Sequence, residues 1–208
     1  RMEVFSGNYD FNKIIFDSED DKKTLMEDFP KGVFFICSHL GNIDVMRAFL
    51  NKYPERHVNV FLSGEQCRIF NSFIKQIEAD MPVSTYPVEE INIDTSIEIK
   101  DKLSKGQIVF MAGDRTSKNS SNSDIELFGH KVKFPLGTFK FAQLMESPVY
   151  FACSIRKGEK YRVYLKKFIT TSTKSASVLK MQKEFAKFLE DLTRRYPLQF
   201  FHFYDMFD

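Results

Sequence analysis

The chain has 208 residues, with 30 Lys plus Arg against 28 Asp plus Glu for a net charge of +2. That length suits one domain able to bury about 70% of its unfolded surface, and the balanced charge excludes the broad basic face of a nucleic-acid protein. Cys37, Cys67 and Cys153 do not make a disulfide framework and read as reduced thiols, and no apolar run approaches the ~18 residues of a membrane span.

The whole chain, 1–208, reads as a single domain. Residues 1–31 are an acidic lead-in with one short helix around Leu25 and Met26. The start at Arg1 leaves room for an N-terminal anchor or a fused domain ahead of it. Val33-Phe34-Phe35-Ile36-Cys37 is a short apolar run bounded by turn residues, which predicts a buried strand. A polar turn over Ser38 to Asn42 and a helix over 43–50, capped by Asn42, follow. Val58 to Leu62 predicts a second strand, and Ser63-Gly64-Glu65-Gln66 predicts a capping box, because Gln stands three residues after Ser. Ile69, Phe70, Phe73, Ile74 and Ile77 have helical spacing.

A helix from about Ser96 to Ser104 precedes the strand Ile108 to Ala112. Further on come a helix from Thr138 to Glu146, strands Val149 to Ile155 and Tyr161 to Phe168, and a long helix from about Ser175 to Arg195. The last helix offers Glu190–Arg194 and Asp191–Arg195 as outward i, i+4 ion pairs. Strands alternating with helices predict an α/β fold: a mixed, largely parallel central sheet with helices on both faces.

In such a sheet a ligand crevice lies outside the carboxyl ends of the parallel strands. That edge receives Ser38-His39-Leu40-Gly41-Asn42 and Gly113-Asp114-Arg115. With His39 in a loop and Asp44 in the first helical turn, the carboxylate can reach one imidazole nitrogen and leave the other to accept a proton from a hydroxyl; the alternative is a His39 hydrogen-bonded in the turn and an Asp44 that supplies a charge to the helix N-terminus. Cys37, two residues before His39, is a rival nucleophile, although a cysteine in an apolar strand is usually a core residue. No Cys or second His stands at ligand spacing from His39, so no metal is expected. Arg115 and Lys118 are the cations of the polar stretch after Asp114, and the turn punctuated by Gly129, Pro135 and Gly137 leads to a helix N-terminus able to face an anion.

Four blocks in order resemble the lysophospholipid acyltransferase superfamily, and within it the lipid A biosynthesis (late) acyltransferase branch. They are His39-Leu40-Gly41-Asn42-Ile43-Asp44; the strand running into Gly113-Asp114-Arg115; Phe128-Gly129 with Phe134-Pro135-Leu136-Gly137 and Pro148-Val149; and Tyr196-Pro197-Leu198-Gln199-Phe200-Phe201. The resemblance implies an enzyme, an O-acyltransferase. It would move a fatty acyl group from an acyl carrier protein or coenzyme A thioester to a hydroxyl of a lipid or glycolipid acceptor. It implies His39 as general base, Asp44 as its orienting partner, and Gly41 and Asn42 as the site floor. Asp114, Arg115, Gly129, Pro135 and Gly137 would contact substrate. No cofactor is implied beyond the thioester co-substrate, and the expected place is peripheral, on the cytoplasmic side of a bacterial inner membrane, or the cytoplasm. The family's hydrophobic anchor is missing and Phe replaces the usual Trp in the closing block. The alternatives are an acyl thioesterase and a non-catalytic lipid-binding module.

The 23 Phe and 8 Tyr then divide. Phe34, Phe35, Phe70, Phe73, Phe110, Phe185 and Phe188 are expected in the core. Phe200, Phe201, Phe203, Tyr204 and Phe207, with some of Phe128, Phe134, Phe139 and Phe141, are expected along an acyl-chain groove or a membrane-facing surface.

Overall fold

A computed structural model describes residues 10–42, 45, 56–76, 82–116, 121–169 and 174–201. In chain order, β1 (Ile14–Phe16) leads to α1 (Glu19–Asp28) and β2 (Val33–Gly41). Next come β3 (Val58–Leu62), α2 (Gly64–Gln76), β4 (Val83–Pro87), α3 (Ile93–Ser104) and β5 (Ile108–Ala112). The remaining elements are β6 (Asn122–Leu127), β7 (His130–Pro135), α4 (Leu136–Leu144), β8 (Val149–Lys157), β9 (Lys160–Phe168) and α5 (Lys174–Arg195).

Seven strands form one sheet in the order β1-β9-β8-β2-β5-β3-β4. The five from β8 to β4 are mutually parallel, while β9 runs antiparallel to β8. The architecture is therefore the predicted α/β one, with a mostly parallel mixed sheet. Residue alternation along β2 shows why both faces need cover: Phe34, Ile36 and Leu40 enter one apolar cluster, and Val33, Phe35 and Cys37 enter the other. The first cluster is closed by α3, α4, α5 and the β6–β7 hairpin. Leu25 of α1 and the helical Val45 help close the second.

Local signals explain most helix starts. Ser18 Oγ accepts from the Asp21 amide at the head of α1, whose first turn carries Glu19, Asp20 and Asp21 against the positive end of the helix dipole. Ser63 and Gln66 bond reciprocally, at 3.3 and 3.4 Å, as a capping box at the start of α2. Asn92 caps α3 through the Thr95 amide. Glu190 and Arg194 pair at 2.6 Å as expected, but Arg195 Nε donates to the Asp191 carbonyl and not to its carboxylate. Ile69, expected on the apolar face of α2, is 63% exposed, while Phe70 and Phe73 of that face are half-buried beside buried Cys67 and Ile77 lies outside the described residues.

Four strands carry no counterpart in the sequence reading: β1, β4, β6 and β7. The strand expected to stop at Cys37 continues to Gly41, and of the helix expected over 43–50 all but Val45 lies outside the described residues. Phe134, Phe139 and Phe141, offered as groove or membrane residues, are buried in the first cluster, where Phe134 and Phe139 both pack edge-on against Phe185. Phe203, Tyr204 and Phe207 lie outside the described residues.

At the sheet edge opposite the candidate site, buried Asp28 accepts from Tyr150 Oη at 2.6 Å, Lys31 Nζ at 3.0 Å and Lys167 Nζ at 2.5 Å. Burial raises its pKa, but hydrogen bonds from Lys167, Tyr150 and Lys31 outweigh that and hold the carboxyl below its ordinary value. A depressed folded-state pKa contributes stability above the unfolded value and loses it as pH falls through the folded one. Asp28→Asn is therefore expected to cost about 2 kcal/mol at pH 7. The gap to wild type should close below about pH 4; urea unfolding at several pH values measures both.

Candidate functional site

The site forms where two neighbouring strands send their chains to opposite faces. After β2 the chain packs Val45 into the second cluster, and after β5 it packs the hairpin and α4 into the first. Such a divergence opens a crevice at the carboxyl ends of the strands. Cys37 pairs in register with Ala112, and the Gly113 amide donates to the Cys37 carbonyl at 2.9 Å. His39 and Asp114 each lie two residues beyond that pair, so the register sets them side by side.

They are in contact. Asp114 is 1% exposed; its Oδ1 meets His39 Nδ1 at 3.0 Å and its Oδ2 accepts from the His39 amide at 2.6 Å. An ionised carboxylate only accepts, so Nδ1 carries the proton that points at Oδ1 and Nε2 carries the lone pair. The His39 side chain keeps 31% of its surface exposed, enough to meet a substrate. Asp44, the partner expected from spacing, lies outside the described residues; the carboxylate that meets His39 in the described structure is Asp114, which the sequence reading placed among substrate contacts.

His39 sits on the strand and not in a loop. Pairing with β8 shifts register between Cys37 and Gly41, a bulge of the kind that re-aims side chains beside active sites. Ser38 Oγ accepts from the Leu40 amide within the bulge and lies 3.2 Å from Cys153 Sγ. Gly41 has φ +74°, and the Asn42 amide donates to the Ser154 carbonyl at 2.8 Å while Ser154 Oγ donates back to the Asn42 carbonyl. Gly41 and Asn42 thus fasten β2 to β8 directly after the histidine. Cys37, the rival nucleophile, is 3% exposed within the second apolar cluster. Burial also pushes the Cys153 thiol up to about 12, well away from a thiolate at neutral pH.

The closing block completes the arrangement. Leu40 and Phe200 form an antiparallel bridge, and the Phe201 amide donates to the His39 carbonyl at 2.9 Å. Arg115, expected among the substrate contacts, donates from Nη2 to the Phe201 carbonyl at 2.6 Å, while its Nε is buried without a hydrogen-bond partner. The Gln199 side chain bonds both main-chain groups of Arg156. Arg115→Ala is expected to loosen this segment, raising hydrogen exchange at the Phe201 amide by roughly fivefold for the loss of about 1 kcal/mol of local stability.

The remaining site candidates have structural places. Phe128 (φ 56°) and Gly129 (φ 82°) make the two-residue turn between β6 and β7, a left-handed pair suited to a hairpin. Pro135 ends β7 and stands at the N-cap of α4, where its carbonyl accepts from buried Gln182 at 3.3 Å. Thr138 Oγ1 donates to the Ala112 carbonyl at 2.8 Å, which fixes the head of α4 to the end of β5 just before Asp114. Gly137, in the first turn of α4, has nothing within 4 Å of where a Cβ would stand. Lys118 lies outside the described residues. Among the described residues no group of three His, Cys, Asp or Glu is placed to hold a metal ion, and no helix is long and apolar enough to cross a membrane.

No family model matches the chain, and no curated protein matches it.

Proposed function

We propose that this chain is an O-acyltransferase that moves a fatty acyl group from an acyl carrier protein or coenzyme A thioester to a hydroxyl of a lipid or glycolipid acceptor. The observation that carries the reading is the half-exposed His39 imidazole held through Nδ1 by a buried carboxylate at the carboxyl edge of the sheet. The four sequence blocks that resemble the lysophospholipid acyltransferase superfamily support it: the first and second supply His39 and Asp114, and the fourth closes over them.

In this reading His39 Nε2 takes the proton from the acceptor hydroxyl as its oxygen attacks the thioester carbonyl carbon. The C–S bond breaks, the thiol sulfur receives the proton from the imidazolium, and an ester remains on the acceptor. Asp114 holds the tautomer and stabilises the imidazolium. No acyl-enzyme forms, consistent with buried Cys37 and Cys153. The proposed place is the cytoplasmic face of a bacterial inner membrane, reached peripherally.

Purified protein incubated with acyl donor and lipid acceptors should yield acylated lipid in step with thiol release, by mass spectrometry. His39→Gln should lose that product while keeping its thermal midpoint. Full activity in His39→Gln would remove the mechanism, and release of free fatty acid with any acceptor would identify a thioesterase.

A further inference from the structure

The face of the molecule formed by α3 and α4 carries an apolar groove of about 560 Å³ that the chemistry at His39 does not use. Ile93, Ile97 and Leu144 stand along it at 77%, 64% and 53% exposure. Aliphatic side chains clustered in this way on a surface mark a contact. The charged residues lining the groove are Lys100 and Lys140; no carboxylate lines it, although Glu146 pairs with Lys100 from outside at 2.7 Å.

We infer that the α3–α4 groove is the surface by which this protein docks on an anionic lipid bilayer. Three observations select that occupant. A stripe of aliphatic side chains edged by lysines is the pattern of an interfacial element, with apolar groups entering the acyl boundary and ammonium groups meeting headgroup phosphates. Protein contacts favour aromatic residues, Met and Arg and are poor in Lys; here Phe141 and Met145 are buried in the floor of the groove, and the larger side chains it exposes are aliphatic residues and lysines. Finally, the groove lining includes Asn92 and Gly137, at the heads of α3 and α4, and the head of α4 is bonded to the end of β5. A bilayer against this face therefore lies against the helix whose head is fastened to the strand end leading to Asp114. Docking is independent of the reaction proposed there, because its test reads binding alone.

The test is co-sedimentation of the full chain with vesicles of phosphatidylglycerol and phosphatidylcholine, and with phosphatidylcholine alone. The wild type is expected to bind the anionic vesicles more tightly, and to weaken as salt rises from about 0.1 to 0.5 M. Ile97→Glu and Leu144→Glu should each lower binding roughly tenfold, and Lys140→Glu at least fivefold on anionic vesicles only, from about 1 kcal/mol per charge. Ile69→Glu, an equally exposed isoleucine on α2, should leave binding unchanged. All four sites are exposed, and circular dichroism checks that each variant folds. No vesicle binding, or equal loss in Ile69→Glu, overturns the proposal. A dimer seen by light scattering and abolished by Ile97→Glu overturns it in favour of a second copy on this face.

Discussion

Asp114→Asn is expected to lower acyl transfer by about 10³-fold or more while the protein stays folded. The carboxylate accepts at both oxygens, from His39 Nδ1–H and from the His39 amide. A carboxamide has one accepting oxygen and one donating nitrogen, so it cannot satisfy both donors. If its oxygen keeps the amide, its nitrogen faces Nδ1 and selects the other tautomer, which puts the proton on Nε2 and removes the base. If its oxygen keeps Nδ1, a buried amide loses its acceptor, at a cost of about 1–3 kcal/mol. In either arrangement no negative charge remains to stabilise the imidazolium. The measurements are kcat and KM together with urea unfolding: kcat should fall with KM within a few fold. A kcat within tenfold of wild type would transfer the orienting role to another group, Asp44 being the first to substitute.

Gly41→Ala is expected to destabilise the fold by at least 3 kcal/mol and to abolish activity through the backbone alone. Its φ of +74° is costly for a residue with a side chain, and a Cβ there would stand 2.1 Å from the Ser154 carbonyl oxygen, an immovable part of β8. Relief requires β2 to move off β8, which carries the His39 bulge away from Asp114. For a chain of this size the loss corresponds to a fall in thermal midpoint of roughly 10 °C. Gly137→Ala is the matched control: nothing lies within 4 Å of its Cβ position and it sits in a helix. That substitution should be neutral or stabilise by up to about 1 kcal/mol. Calorimetry on the two variants separates a need for glycine's conformation from a mere absence of side chain.

The parallel core was legible because its strands announce themselves as short apolar runs cut by turn residues, and the capping box at Ser63 is local chemistry that no distant contact overrides, whereas the cap at Asn92 went unread and α3 starts three residues before the expected Ser96. β4 escaped because it is an outer strand of half-buried residues ending in Pro87, paired among the described residues with β3 alone. The β6–β7 hairpin did leave a signal. Ile125, Leu127, Val132 and Phe134 alternate with polar residues, and Asp124 and Glu126 stand opposite Lys133 and Lys131. Its Gly129 and Pro135 instead read as the punctuation of a tight return before a helix. At the site, both His39 and Asp114 could be assigned to one sheet edge from sequence, but their contact spans 75 residues and depends on β5 inserting between β2 and β3. Spacing along the chain favours near partners such as Asp44; adjacency in the sheet is what brings in Asp114.

Gln199 carries a consequence beyond local fastening. Arg156 lies two residues past Ser154, on the side of β8 that β2 occupies up to Asn42, so its amide and carbonyl face a place where, among the described residues, no strand continues. The Gln199 carboxamide fills both, at 2.8 and 2.9 Å. Exposed main-chain pairs of this kind recruit strands from other molecules. By imitating one peptide unit, a single side chain closes the sheet against cross-chain strand addition beside the segment that bonds to His39, so that among the described residues the open edges of the sheet are left to β1 and β4 at its far sides.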